Sequence, residues 1–274
     1  MLQHITIPWE QEKLAAVLQF PKDSNQRLPL VIICHGFIGS KTGVNRLFVE
    51  ASSLFVQKGY AVLRFDYAGC GESSGEYGKG GLDQILSQTR SAIKYASSLT
   101  EIDPKQISLL GHSLGGAVAL IISKQMPDIH KLIMWAPVAH PYKDLVRIVG
   151  SHSYSDLIQT GNMDHMGYEF IPSFFHSLQQ YQPLKEAISV TQDVLVVHGT
   201  ADQDIPVEYC FHYDYAFRTR KKGRIDKEVI TGGDHTFSSI KGREKLFTAT
   251  LDWLTGVRYM RQAGHFDEDY SQSI

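Results

Sequence analysis

The chain has 274 residues, of which 43% are hydrophobic and 11% aromatic, enough to bury the large core of one domain with an insertion. Its 27 lysines and arginines against 29 aspartates and glutamates give a formal net charge of −2, and no basic stripe favours nucleic acid or an anionic membrane as a partner. Cys34, Cys70 and Cys210 do not indicate a disulfide framework, and without a leader-like N-terminus or an apolar run of about 18 residues the sequence predicts a cytoplasmic protein.

The first part of the chain predicts strands at the edge and the centre of a sheet. Residues 3–8 and 13–20 alternate between apolar and polar side chains, which predicts an antiparallel hairpin at a sheet edge. Residues 30–34 form an unbroken apolar run, typical of a parallel strand covered on both faces. A helix is predicted over residues 44–58, and another buried strand over residues 60–65.

Polar turns follow the two buried strands. The turn His35-Gly36-Phe37 offers the backbone N–H of Phe37 as one donor of an oxyanion hole, whereas His35 is interpreted as a packed, hydrogen-bonded turn residue. Residues 66–75 are rich in Gly and Ser, which predicts a tight loop whose spacing matches no phosphate-binding motif. Asp66 is interpreted as a carboxylate that braces this loop.

The sequence I-S-L-L-G-H-S-L-G-G-A-V-A-L at residues 107–120 predicts a strand, a sharp turn and a helix. Gly111 and Gly115 flank Ser113, and a Cβ atom at either glycine would collide with the neighbouring strand or helix. Ser113 is therefore the candidate nucleophile, with the N–H of Leu114 as a second oxyanion donor. Because a bare G-x-S-x-G arises by chance in roughly one such chain of ten, the assignment depends on this context and on partners downstream.

A helix over residues 82–99 precedes this stretch, and an apolar strand over residues 131–137 follows its helix. Alternation of strands and helices predicts an α/β protein with a doubly wound parallel sheet. The ligand site of such a sheet lies outside the carboxyl ends of its strands, so the polar turns are expected to meet there.

The alternation lapses over residues 138–190, which predicts a lid or insertion. Tyr142, Tyr168 and Phe174 are candidates for lining a substrate pocket, and the alternative is that such aromatics only pin the insertion to the core. Four histidines of the insertion lack a metal-binding spacing such as H-x-x-x-H, so no metal site is predicted. They are His140, His152, His165 and His176.

Regular structure returns near the C-terminal end. The predicted elements are a strand from residue 193, a helix over 207–218, a strand over 227–230 and a helix over 242–254, followed by a polar tail at 257–274.

A serine hydroxyl needs an imidazole to accept its proton and a carboxylate to orient that imidazole. His235 and Asp202 are the candidates, because each lies in a turn after a separate strand and the chain order Ser113, Asp202, His235 suits this chemistry. Asp204 is the rival acid. Three further polar residues near these turns are interpreted as structural: His112, His198 and Asp234. The helix that His112 is expected to begin would turn its ring away.

Five motifs together resemble the α/β-hydrolase superfamily, over about residues 14–254. They are H-G-F, F-D-Y-A-G-C-G-E-S, G-H-S-L-G-G, H-G-T-A-D-Q-D-I-P and G-G-D-H-T-F. Within it, the chain is most similar to bacterial carboxylesterases of the cinnamoyl and feruloyl esterase type. The resemblance implies that Ser113 is the nucleophile, Asp202 the acid and His235 the base, with oxyanion amides from Phe37 and Leu114.

The resemblance further implies a mostly parallel eight-stranded sheet with helices on both faces and an insertion after the sixth strand. We expect a hydrolase core at residues 1–137 and 191–256, a lid at 138–190 and a tail at 257–274. The expected activity is hydrolysis of small acyl or aryl esters, hydroxycinnamoyl esters among them, without a cofactor. An aminopeptidase, a thioesterase, a monoacylglycerol lipase and a non-catalytic binding protein are the alternatives, and a homodimer stays open.

Overall fold

Eight strands form the central sheet of the computed structural model, which describes residues 1–22 and 26–256. The strands are β1 (Leu2–Trp9), β2 (Glu12–Gln19), β3 (Leu28–Cys34), β4 (Ala61–Phe65), β5 (Ile102–His112), β6 (Lys131–Trp135), β7 (Met163–His165), β8 (Tyr168–Phe170), β9 (Asp193–Gly199) and β10 (Ile225–Ile230). The sheet order is β1-β2-β4-β3-β5-β6-β9-β10, while β7 and β8 form a separate hairpin. Strand β2 runs antiparallel to β1 and β4, and the other described pairs of this sheet are parallel, so the predicted mostly parallel sheet with an edge hairpin is confirmed.

Helices cover both faces of the sheet, as predicted. They are α1 (Leu47–Gln57), α2 (Tyr77–Ser97), α3 (Leu114–Gln125), α4 (Pro141–Val149), α5 (Ser151–Thr160), α6 (Pro172–Leu178), α7 (Pro183–Glu186), α8 (Glu208–Arg218) and α9 (Ile240–Leu254), with short 3-10 turns at Val44–Arg46 and Ala187–Ser189. Alternate residues of β3 serve opposite faces: Val31 and Ile33 join the core under α1 and α9, whereas Leu30 and Ile32 join the core under α2 and α3. This explains the unbroken apolar run in the sequence.

Two elements begin five residues before their predicted boundaries. Helix α2 begins at Tyr77 rather than at residue 82, because its glycine-rich first turns lack apolar periodicity and are interrupted at Gly81, where φ is +63°. Strand β5 begins at Ile102 rather than at residue 107. Ile102 pairs with Leu28, the register then shifts, and the polar stretch before residue 107 belongs to the strand.

The segment between β6 and β9, which we call the insertion, is built from short elements rather than irregular loop. It contains α4 to α7 and the β7–β8 hairpin, and each element is too short to give a long periodic pattern in the sequence. Helix α6 of the insertion packs against α2 of the core. Three aromatic residues of the insertion, Phe170, Phe174 and Phe175, are completely buried, so they anchor the insertion to the core.

The carboxyl ends of β3, β4, β5, β9 and β10 face the same edge of the sheet, and the polar turns of the sequence lie at that edge. Cys34, Cys70 and Cys210 are buried free thiols. None of the described helices is both long and apolar enough to cross a membrane. The predicted tail at 257–274 lies outside the described residues.

Candidate active site

Ser113 lies at the apex of a strained turn between β5 and α3, with φ 57° and ψ −123°. A Cβ atom at Gly111 would lie 2.0 Å from the carbonyl oxygen of Gly115, and one at Gly115 would lie 2.1 Å from the carbonyl oxygen of Cys34. Only glycine therefore permits this close crossing of strand and helix. A non-glycine residue in such a conformation costs about 1–3 kcal/mol and persists where surrounding structure enforces it.

Backbone hydrogen bonds hold the serine at this apex. The Ser113 N–H donates to the carbonyl of Trp135 at 2.9 Å, and the Ser113 carbonyl accepts from the N–H of Val138 at 3.1 Å. The serine thus bridges β5, α3 and the end of β6. Only 6% of the surface of Ser113 is exposed, so its hydroxyl is reached through the adjoining cavity rather than from open solvent.

Two backbone turns place amides beside Ser113. Leu114 is the first residue of α3, and an N–H in the first turn of a helix has no acceptor within that helix. The turn after β3 approaches from the other side, because a Cβ at Gly36 would lie 3.0 Å from the Cβ of Ser113. Phe37 follows Gly36 and lines the same cavity. The following Ile38 has φ +44°, so this turn is strained as well.

The residues around this turn brace it, as the sequence indicated. The Nδ1 of His35 donates to the Gly36 carbonyl at 2.8 Å, and its Nε2 accepts from the N–H of Tyr67 at 3.1 Å. Burial lowers the pKa of His35 to about 4, so the ring stays neutral. Asp66 accepts from the backbone N–H of Lys41 at 2.5 Å and from its Nζ at 2.6 Å, which ties the turn after β3 to the loop after β4.

Asp202 and His235 lie in contact. The Nδ1 of His235 donates to Oδ2 of Asp202 at 2.8 Å, while Oδ1 accepts from the N–H groups of Asp204 and Ile205 at 2.9 and 2.8 Å. The Asp202 side chain is 0% exposed. Burial alone would raise its pKa, but hydrogen bonds from His198 and His235 outweigh burial and hold the pKa of Asp202 well below its usual range. The carboxylate is therefore ionised, and an ionised carboxylate only accepts, which leaves Nε2 of His235 as the basic nitrogen.

His198 is a second donor to this carboxylate, which the sequence interpretation as a structural residue did not specify. Its Nε2 lies 3.0 Å from Oδ2 of Asp202 and 3.1 Å from the carbonyl oxygen of Ile205. Since both partners are acceptors, Nε2 carries the proton. Nδ1 is buried without a hydrogen-bond partner among the described residues. The signal in the sequence was the spacing of four residues between His198 and Asp202.

His112 joins the serine turn to the histidine turn. The sequence interpretation placed it at the start of a helix with its ring turned away, but it ends β5 and its ring centroid lies 4.8 Å from that of His235. Its Nε2 donates to the carbonyl of His235 at 2.7 Å. Burial, and after it the nearby His235, lower the pKa of His112 to about 3. His112 therefore acts as a neutral tether.

Asp234 braces the histidine turn, as predicted, because its Oδ1 accepts from the N–H of Ser238 at 2.7 Å.

Ser113 and His235 line one cavity of about 580 Å³ at the carboxyl edge of the sheet. The insertion contributes Met166 and Tyr168 to its wall. Within the described residues, the other two candidates from the insertion lie elsewhere: Tyr142 donates its hydroxyl to Tyr154 at 3.0 Å, and Phe174 is completely buried in the aromatic cluster. The spacing of aromatic residues in the sequence could not show which of them line the cavity and which anchor the insertion to the core.

Asp202, Asp204 and His235 also bring potential ligand atoms within 4.8 Å of one another. The two oxygens of Asp202 already accept four hydrogen bonds, so a metal ion would have to displace these donors. The chemistry of this group therefore suits an oriented imidazole better than a bound cation.

Comparison with known proteins gives both a family and a fold. The family model described as the prolyl oligopeptidase family matches residues 47–259, more than half of the chain. The uncharacterized protein Rv2307c from Mycobacterium tuberculosis is 28% identical over 187 residues, 68% of this chain and 57% of the relative. The lysophosphatidylserine lipase ABHD12 from Danio rerio is 25% identical over 172 residues, 62% of this chain and 41% of the relative. The chain thus spans about half the length of the curated relatives it matches.

Among solved structures, Est1E from Butyrivibrio proteoclasticus with bound ferulic acid superimposes with a TM-score of 0.79 at 24% identity, covering 92% of this chain and 98% of that one. The structural matches include proteins described as α/β hydrolases. They confirm the predicted α/β-hydrolase fold, which on its own does not choose a substrate.

Proposed function

The chain belongs to the prolyl oligopeptidase family, and on that basis we propose that it is a serine hydrolase that cleaves carboxylic esters. The observation that carries this proposal is the 2.8 Å hydrogen bond from His235 to a buried, ionised Asp202, with the basic side of the imidazole and the strained Ser113 at one cavity. Strained backbone at a cavity wall is typical of catalytic residues.

In the proposed reaction, the Ser113 hydroxyl attacks the ester carbonyl while Nε2 of His235 accepts its proton. The amides of Leu114 and Phe37 stabilise the oxyanion. The imidazolium then donates this proton to the leaving alcohol, and an acyl-enzyme remains. Water attacks the acyl-enzyme, His235 accepts a proton from the water, and the acid leaves as Ser113 is reprotonated. Asp202 keeps the ring in one tautomer and stabilises its charged form.

The proposed substrates are small acyl and aryl esters, with hydroxycinnamoyl esters as the finer proposal. Phe37 and Tyr168 line the cavity, and aromatic rings of this kind suit an aryl group. Est1E binds ferulic acid, a hydroxycinnamic acid, and the name of ABHD12 describes it as a lipase, which supports ester substrates. The peptidase name of the family favours one second candidate, hydrolysis of an amide bond such as that of an aminoacyl anilide.

The role of Ser113 is tested with a fluorophosphonate probe and mass spectrometry. We expect the probe to modify Ser113, and Ser113→Ala to lose both the label and about 10⁴-fold to 10⁶-fold in kcat on p-nitrophenyl acetate. Ser155→Ala, which removes an exposed hydroxyl from the insertion, serves as the matched control. Turnover by Ser113→Ala within tenfold of the parent would remove Ser113 from the mechanism.

The choice of substrate is tested by comparing kcat/KM across methyl ferulate, short and long p-nitrophenyl esters, a monoacylglycerol and aminoacyl-p-nitroanilides. The ester proposal predicts that at least one ester exceeds every anilide. A preference for the anilides would favour the peptidase candidate, while a preference for acetate over ferulate would remove only the hydroxycinnamoyl proposal.

A further inference from the structure

The wall of the cavity carries a negative charge. Among the described residues that line the cavity, Asp204 is the one carboxylate, and there is no lysine or arginine. Two of the lining histidines, His35 and His112, are neutral at pH 7 because burial lowers their pKa values to about 4 and about 3. Asp202 adds a second negative charge behind His235, outside the cavity wall.

The carboxylate of Asp204 is free to meet a ligand. Among the described residues, no side chain or backbone donor forms a hydrogen bond or an ion pair with this carboxylate. Its backbone is held in place, because the Asp204 N–H donates to Asp202 and the guanidinium of Arg147 donates to the Asp204 carbonyl. Arg147 itself faces the buried carboxylate of Asp144 at 3.7 Å, which compensates its charge.

Apolar side chains form part of the wall around this charge. Phe37, Val44, Phe48 and Met166 line the same cavity, and an oxygen of Asp204 lies within 4.8 Å of a ring nitrogen of His235. A group bound against Asp204 would therefore lie beside the proposed reacting centre. Aromatic faces add attraction for a cation in such a site.

We propose that Asp204 makes the cavity select substrates that carry a cationic group, such as an ammonium, over neutral isosteres and over anions. This inference rests on the proposed hydrolase function and narrows its substrate class to apolar esters or amides with a positive charge. Acyl thioesters of a multiply phosphorylated carrier are correspondingly disfavoured. The chemistry of recognition is the same whether the cation lies on the acyl side or on the alcohol side.

Two isosteric substrate pairs test both positions. The first is the p-nitrophenyl ester of γ-trimethylammoniobutyric acid against the ester in which a tert-butyl group replaces trimethylammonium; the second is butyrylcholine against its tert-butyl isostere. We expect a higher kcat/KM for the cationic member of at least one pair. Asp204→Asn is expected to lower the cationic-to-neutral ratio for that pair by about fivefold, the upper range for an exposed ion pair. Added salt is expected to lower the ratio in the parent and not in the variant.

Asp128→Asn is the matched control, because it removes an exposed carboxylate from the loop between α3 and β6, at the opposite edge of the sheet, and is expected to keep the ratio of the parent. A binding measurement makes the test independent of catalysis. Isothermal titration calorimetry with phenyltrimethylammonium is expected to give a Kd about fivefold higher for Asp204→Asn than for the parent.

The outcomes separate the two proposals. Unchanged ratios and an unchanged Kd in Asp204→Asn would overturn the cation site, while the hydrolysis of neutral esters would stand. An equal loss on the cationic and neutral members would also overturn it, because Asp204 would then act on the reaction itself. If the parent hydrolysed none of the esters, the proposed function would fail, and the calorimetry would still decide whether Asp204 binds a cation.

Discussion

The two sides of His235 are built in different ways. On the serine side, Ser113 has φ 57° and is positioned by backbone hydrogen bonds and by the close approach of Gly111 and Gly115. On the acid side, Asp202 has a completely buried side chain whose two oxygens accept four hydrogen bonds. Backbone packing and backbone hydrogen bonds fix the nucleophile, whereas donors to the side chain fix the acid.

This difference teaches which changes each side tolerates. An added methyl group breaks the serine side, because a Cβ at Gly115 has no room beside the Cys34 carbonyl. The acid side has to lose a donor or a charge before it fails, since each of the four hydrogen bonds stabilises an ionised group that burial would otherwise penalise.

Among changes to the acid side, the largest effect is expected from removing its charge. Asp202→Asn is expected to lower kcat on a neutral p-nitrophenyl ester by about 10⁴-fold, because an amide in this position no longer fixes the tautomer of His235. The matched control is Asp204→Asn, whose side chain makes no contact with His235 comparable to the 2.8 Å bond of Asp202. A greater loss of kcat in Asp204→Asn than in Asp202→Asn would assign the acid to Asp204 instead.

A smaller effect sharpens the comparison at His198. His198→Met fills the site without a donor and is expected to lower kcat by roughly tenfold to a hundredfold, the range for losing a hydrogen bond to a charged group. His198→Gln places an amide N–H near the former Nε2 and is expected to recover most of this loss. Equal kcat values for the two variants, with equal thermal midpoints, would mean that His198 fills space without positioning Asp202.

The serine side was the easier one to predict from sequence, because the steric constraints of its turn require glycines within a few residues of the serine. The glycines around Ser113 stand at fixed spacing, and the unbroken apolar run of β3 indicated a strand covered on both faces. The donors of the acid side come from separate turns, so the sequence indicated Asp202 and His235 without the bond from His198. Aromatic spacing in the insertion, likewise, did not show that Tyr168 reaches the cavity while Phe174 is buried.

The smallest expected effect tests the tether between the two sides. The pKa of His112 is about 3 in the folded protein, and unfolding returns it to the ordinary value of 6.5. Between these values the unfolded chain binds the additional proton, so this residue makes the protein less stable as the pH falls below about 6.5.

His112→Gln keeps a donor for the His235 carbonyl but removes this proton uptake. From about pH 7 to about pH 5.5, the free energy of unfolding of the variant is therefore expected to fall by about 1 kcal/mol less than that of the parent, as measured by urea denaturation. His35 contributes in the same direction in both proteins and cancels from the difference. The exposed His152→Gln is the control and should follow the parent. Parallel pH dependences for parent and His112→Gln would mean that His112 takes up its proton as readily in the folded protein as in the unfolded chain, and the donor to the His235 carbonyl would then be a charged imidazolium instead of a neutral ring.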